Sequence, residues 1–416
     1  MSKSTFDKSS YFLFWLINPF LSTWIFLRNS GNAKSLAPLL LFSFFFGISF
    51  VNAPGSSSDS HRYALELENL HTNHVPFSEY MVILYSEEGS KIDVYQPVLT
   101  WLLAYFTGNY KWLFGVFALV FGFFWFKSIT IVRDKLPEKL GSFLFILFVL
   151  FVLINPIWSI NGVRMWTAVQ VFFYGLLLLH TKQNKWGIFF IVAPSFIHFS
   201  LFIALVIYLL YVLIPFKRTS FFYTLYLLTY FLGELDIEAL REYFELLPGF
   251  TQSRKLYLNE EILESNRVVL EQASIHISLY HDLLKYLVLT ITTLIFYRVL
   301  SKLKTFDAKF VNWFNQALFF GAFSNLAVSV PSGARFEILT NLLLFSSFIW
   351  ILAQRKQEAL PTFIKVPILL VSVFIVIVQI RMGLDFIGLF FFIGNPIINM
   401  FYTDTVPFID LIKALL

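Results

Sequence analysis

Residues 141–180, GSFLFILFVLFVLINPIWSINGVRMWTAVQVFFYGLLLLH, decide how this chain folds. Two apolar runs, 141–157 and 163–180, flank a break that contains Asn155-Pro156 and Asn161-Gly162. A helix needs about 20 residues to cross a bilayer, and proline and glycine punctuate helices. The stretch therefore predicts two membrane helices joined by a turn. Arg164 opens the second helix directly after that turn. A cation in a first turn opposes the helix dipole, and arginine is costly at membrane depth. The same arrangement recurs at Pro331-Ser332-Gly333-Ala334-Arg335, where Arg335 opens another apolar helix.

Further apolar segments lie near 11–27, 36–52, 94–107, 111–126, 187–197, 199–215, 219–233, 281–300, 310–330, 335–353, 361–380 and 384–402. Only 14% of the 416 residues are charged and 57% are hydrophobic, whereas a soluble domain carries roughly 25% charged residues. The reading is an all-α, polytopic transmembrane helical bundle of about 11–14 membrane segments, some of them half-helices. Residues 1–416 form a single transmembrane domain. Segment 94–107 is too short to span and is read as a half-helix feeding 111–126. Residues 11–27 either cross or lie in the interface, and Asn18-Pro19 marks them as a retained helix, not a cleaved signal peptide.

Charge gives the orientation. Lys127, Arg133, Lys135 and Lys139, then Lys182 and Lys185, Lys217 and Arg218, Lys302, Lys304 and Lys309, and Arg355 and Lys356 fall in alternate gaps. Placing all of them in the cytoplasm satisfies the positive-inside rule. Two polar elaborations, 53–93 and 234–280, are then periplasmic, and both arginines open their helices on that side. In the second elaboration LDIEALREYFELL reads as an amphipathic helix. The net charge of +5 is dispersed among short loops and is no nucleic-acid signature. With no cysteine in the chain, disulfide and thiol chemistry are excluded.

Several residues carry candidate chemistry. Arg164 and Arg335 either snorkel to lipid headgroups or, with the free amides of their helix starts, hold phosphate oxygens. Two such placements on one face favour anion binding. His198, in the hairpin tip PSFIHFS with Ser195 and Ser200, is either a hydrogen-bonded structural residue or a general base or donor. Asp59, Arg62 and Tyr63 share the start of a helix in the first elaboration, where capping is the plainer reading. His71-x-x-His74 lacks a third ligand at convincing spacing, so no metal is expected. Arg254, Tyr257 and His276 in the second elaboration suit sugar contacts or a solvated surface, and Arg381 and Asp385 form a further outward pair. Nucleotide-phosphate loop, nucleophile elbow and zinc motif are all lacking.

These pieces, in order, resemble the Wzy-type polysaccharide polymerases, the EpsG-like branch. The matching stretches are SDSHRYALEL, DVYQPVLTWLLAYFTGNY, NPIWSINGVRMWTAVQVFFYG, APSFIHFSLFIAL, TQSRKLYL and PSGARFEIL, over roughly residues 36–400. NGVRMWTA and FIHFS are the most specific. Gln96-Pro97 departs from the pattern, which has an acidic residue before the proline, and the stretch after Arg381 is less recognisable.

The resemblance implies a GT-C-like membrane glycosyltransferase in the bacterial inner membrane, multi-pass, with its active site facing the periplasm or outside. It would join oligosaccharide repeat units carried on undecaprenyl pyrophosphate, as donor and acceptor, into O-antigen, capsule or exopolysaccharide, without cofactor or metal. Membrane lipid, a chain-length regulator and a flippase are the implied partners. On this reading Arg164 and Arg335 grip pyrophosphate, and Arg62, Arg254, Tyr63, Tyr257 and Arg381 contact substrate. His198 is the base, with Asp59 its rival. The alternatives are an O-antigen ligase and a lipid-linked oligosaccharide flippase or transporter.

Overall fold

The structure is a computed structural model that describes residues 8–29, 36–52, 58–85, 93–232, 275–301, 307–328, 333–354, 361–402 and 406–415. Helices dominate, and the described residues contain a single isolated β-bridge, Phe50 to Ile387, and no strand. Five helical stretches are long and apolar enough to cross a membrane: Tyr110–Arg133, Ser142–Thr181, Ile275–Tyr297, Arg335–Ala353 and Thr362–Gly383. With shorter apolar helices between them, they make an all-α polytopic membrane bundle.

The amino-terminal helices α1 (Lys8–Ile17) and α2 (Pro19–Asn29) break at Asn18. Tyr11 and Phe26 meet ring to ring at 5.4 Å, whereas residues that far apart in one straight helix would be separated by about 22 Å. The segment 11–27 therefore folds back on itself and does not cross as one helix. Next come α3 (Ala37–Ile48), α4 (Asp59–Asn73), α5 (Phe77–Tyr85), α6 (Tyr95–Ala104) and α7 (Tyr110–Arg133). The half-helix expected at 94–107 is α6. Helix α3 lies closely on α7: a Cβ on Gly47 would stand 2.2 Å from the Phe114 carbonyl oxygen, so only glycine permits that approach.

The deciding stretch forms α8 (Ser142–Ile154), a 3-10 turn (Ile157–Gly162) and α9 (Val163–Thr181). Phe151 packs on Phe173 with centroids 5.9 Å apart, and Asn155 Nδ2 donates to Gln170 Oε1 at 3.2 Å. Partner numbers thus run in opposite directions, and α8 and α9 form the expected antiparallel pair. The hairpin follows as α10 (Trp186–Val192), α11 (Pro194–Ile197) and α12 (Leu201–Leu213), then α13 (Thr219–Leu232). Beyond the second elaboration stand α14 (Ile275–Ser301), α15 (Ala308–Ala327), α16 (Arg335–Ala353) and α17 (Thr362–Gly383).

The apolar segment 384–402 does not form a membrane helix. Gly394, Asn395 and Pro396 divide it into α18 (Phe390–Ile393) and α19 (Pro396–Phe401), which α20 (Phe408–Leu415) follows. Gly394 is extended at the end of α18, Asn395 caps α19 through its side chain, and Pro396 sits where a first helical turn tolerates it. The helical reading of LDIEALREYFELL, and Arg254 and Tyr257, lie outside the described residues.

Among the described residues, the basic loops near 133, 182 and 217 gather at one end of the bundle. Lys182 pairs with Asp134 at 3.2 Å, Trp350 Nε1 donates to the Val132 carbonyl at 3.1 Å, and Asn315 Nδ2 donates to the Lys217 carbonyl at 3.0 Å. The starts of α9 and α16 lie at the other end. Two apolar cores fill the molecule. One is built on α1 to α7, the 3-10 turn and Ile387 and Phe391, the other on the end of α7 and α8 to α17. Val163 belongs to the first core and Met165 to the second, so the first turn of α9 sits on their seam with Arg164 between them.

Candidate functional site

Three segments distant in the chain converge on Arg164. From α4, the Tyr63 hydroxyl accepts from Arg164 Nε at 3.0 Å. From the residue pair before α6, Asp93 Oδ2 accepts from Arg164 Nη1 at 3.1 Å. The other oxygen of Asp93, Oδ1, accepts the backbone N–H of Phe199 in the hairpin tip at 2.9 Å. A backbone bond from Val94 N to the Phe196 carbonyl at 3.0 Å closes the same junction. Asp93 is 7% exposed, and the Arg164 side chain 25%. A guanidinium has five N–H donors. Two are spent on Tyr63 and Asp93, which orients the group and leaves its outer edge for a ligand.

His198 lies beside this pair. Its Nδ1 accepts from Ser200 N at 3.3 Å and stands 2.9 Å from Ser200 Oγ. An Nδ1 that accepts from a backbone amide puts the imidazole proton on Nε2. Burial pushes the pKa of His198 down to about 4; the Asp93 carboxylate opposes this, while the charges of Arg164 and Arg335 reinforce it. The imidazole is thus neutral near pH 7 and offers Nε2–H as a donor, which suits it less to the role of base. Ser195 does not join it; its Oγ is buried with no hydrogen-bond partner among the described residues.

Arg335 differs from Arg164. It is exposed at the start of α16, close enough for its charge to act on His198, and it makes no ion pair or hydrogen bond with a described residue. Beside Arg335, amides of the helix start are already used. Phe336 N and Glu337 N already donate to the carbonyls of Gly333 and Ala334 at 3.0 and 3.1 Å. At α9 the 3-10 turn runs straight into the helix.

The first elaboration behaves partly as expected. Ser58 caps α4, its side chain accepting from His61 N. Asp59 and Arg62 pair with each other on the exposed side, whereas Tyr63, one residue on, is buried and turned to Arg164. Burial raises the pKa of the Tyr63 phenol against the pull of Arg164, which keeps it a neutral acceptor. One turn further, Glu66 Oε1 accepts from Tyr80 Oη at 2.7 Å and Oε2 from Gln96 Nε2 at 3.0 Å. This accounts for Gln96: an acid there would set a second carboxylate against Glu66. His71 is held by the Ala104 carbonyl at 2.6 Å and His74 ends α4 with positive φ. Arg381 pairs with Asp385 at 2.8 Å.

Sequence reasoning missed Asp93, Glu66 and Gln96 as members of the site. The available signal for Asp93 was a lone acid before a half-helix in the stretch DVYQPVL. The sequence model of the EpsG family matches residues 34–392, while no curated protein and no solved structure matches the chain. The match spans most of the chain and covers Tyr63, Asp93, Arg164, His198 and Arg335, and the chain belongs to the EpsG family.

Proposed function

We propose that this protein is a polysaccharide polymerase. It joins oligosaccharide repeat units carried on undecaprenyl pyrophosphate at the periplasmic or outer face of the bacterial cytoplasmic membrane. The observation that carries the reading is the convergence of Arg164, Arg335 and His198 at the end of the bundle opposite its basic loops. Basic loops tend to stay in the cytoplasm, which supports an outward-facing cluster, on the side where flipped lipid-linked units would be presented. Family membership supports a polymerase-type activity.

The acceptor hydroxyl oxygen attacks the anomeric carbon of the donor sugar. The bond from that carbon to the pyrophosphate oxygen breaks, polyprenyl pyrophosphate leaves with the electron pair, and the acceptor's hydroxyl proton passes to the departing phosphate oxygen. Charge therefore grows on the pyrophosphate in the transition state, where fixed donors are worth most. Arg335 meets that charge with a guanidinium that has no polar partner among the described residues. Arg164 meets it with the N–H groups that Tyr63 and Asp93 leave unused. Guanidiniums remain charged at any relevant pH, and His198 adds Nε2–H to the same oxygens.

Deletion of the gene, followed by gel analysis of the surface glycan and the lipid-linked pool, tests the assignment. Loss of long polymer with single repeat units still displayed is expected. Loss of all displayed glycan would point to a flippase or a ligase and overturn it.

A further inference from the structure

We infer that Asp93 is the positioning residue of this site: one carboxylate holds the Arg164 guanidinium and the His198 turn in register with each other. The inference rests on the proposed transfer reaction, because it assigns both groups to the same leaving pyrophosphate. Asp93 spends its two oxygens on different elements. Oδ2 takes the charge-assisted bond from α9, and Oδ1 takes the backbone N–H of Phe199, the residue after His198. Val94, next in the chain, bonds the Phe196 carbonyl on the other side of His198. The His198 turn is thus pinned on both flanks to residues 93 and 94, and residue 93 also sets Arg164. The tip reaches Arg164 through this acid.

Two properties separate positioning from a plain structural ion pair. Geometry is the first. A shift of about 1 Å in groups that must meet a transition state costs on the order of 100-fold in rate, without requiring a change in folding. Charge is the second. Asp93 stands beside the cation that faces the anion, so its carboxylate weakens pyrophosphate binding in the ground state while it orients the guanidinium. Removing the negative charge therefore tightens binding and slows turnover together. A structural pair does neither beyond the loss of folded protein.

The test uses the full chain, purified into phosphatidylglycerol-containing bilayers, with a pyrophosphate-linked repeat unit as substrate and inorganic pyrophosphate as competing probe. Asp93→Asn keeps an acceptor for Phe199 N and loses the charge. We expect kcat per folded protein to fall roughly 100-fold and pyrophosphate inhibition to become several-fold tighter, while Arg164, part-exposed and still held by Tyr63, limits the loss of Tm. Asp93→Glu retains the charge and displaces it by one methylene. It is expected to leave pyrophosphate inhibition unchanged and still lower kcat. Parental kcat in folded Asp93→Asn overturns the inference, as does a kcat loss in both variants that only tracks the folded fraction. If the parent protein joins no repeat units, the proposed reaction fails instead. Direct binding of inorganic pyrophosphate to parent and Asp93→Asn, measured by calorimetry, then still reports on whether Asp93 stands beside the anion-binding cation.

Discussion

Arg164 and Arg335 occupy equivalent places in the chain, each opening an apolar helix after a turn, and the fold treats them oppositely. Arg164 is seated on the seam of two cores and is held by Tyr63 and Asp93. Arg335 is exposed and has no polar partner among the described residues. A cation beside a buried acid has part of its field cancelled and its direction fixed. A cation without an acid keeps its full attraction for an incoming anion. Position at a helix start thus shows that a charge is tolerated, while its partners decide whether it orients or captures.

Exchange of Arg335 breaks the comparison most sharply. Arg335→Lys replaces a planar fork with a point charge. Initial rates of repeat-unit joining should fall by about 10²–10³, with unchanged abundance on immunoblots because the residue is exposed. Arg164→Lys comes next. An ammonium cannot span Tyr63 and Asp93 as the guanidinium does, so a rate loss of roughly 100-fold is expected. Arg164→Ala should also lower abundance, since an unpaired buried Asp93 costs about 3–5 kcal/mol. Equal abundance for Arg164→Ala and Arg335→Ala would erase the distinction.

His198 sharpens it by pH. Its folded pKa of about 4 lies below the ordinary value of 6.5, so above pH 6.5 the residue is neutral folded or unfolded and adds no pH dependence. As pH falls from 6.5 towards 4 the unfolded chain gains a proton that the folded chain refuses, and stability is lost. The Tm of the parent should drop across that window more than the Tm of His198→Gln. The smallest effect belongs to Arg381, whose partner is Asp385. Arg381→Ala should change the rate by less than about twofold, because this part-buried pair satisfies itself and the loss falls mainly on a local ion pair.

Much of this was legible in the sequence. Alternating basic gaps fixed which ends of α7, α9, α13 and α15 lie together, because loop charge is set by topology and not by packing. The turn at Asn155–Gly162 was legible from Pro and Gly. Other features were not. Asp93 is a single acid whose partners lie 71 and 106 residues away, and no spacing rule reaches that far. The segment 384–402 is apolar throughout, and its division rests on three residues, Gly394, Asn395 and Pro396, that outweigh its hydropathy. The unequal fates of the two arginines depend on which side chains the fold brings near, which neither NGVRMW nor SGARFE encodes locally.

Competition by inorganic pyrophosphate against a pyrophosphate-linked repeat unit tests the central claim most directly. It would be measured on folded parent protein, Arg335→Gln and Arg164→Lys side by side. The account predicts that Arg335→Gln weakens pyrophosphate inhibition at least about tenfold, the scale of one lost charge-assisted contact, whereas Arg164→Lys changes it far less than it changes kcat. Parental inhibition in Arg335→Gln, with the loss appearing in Arg164→Lys instead, would contradict it.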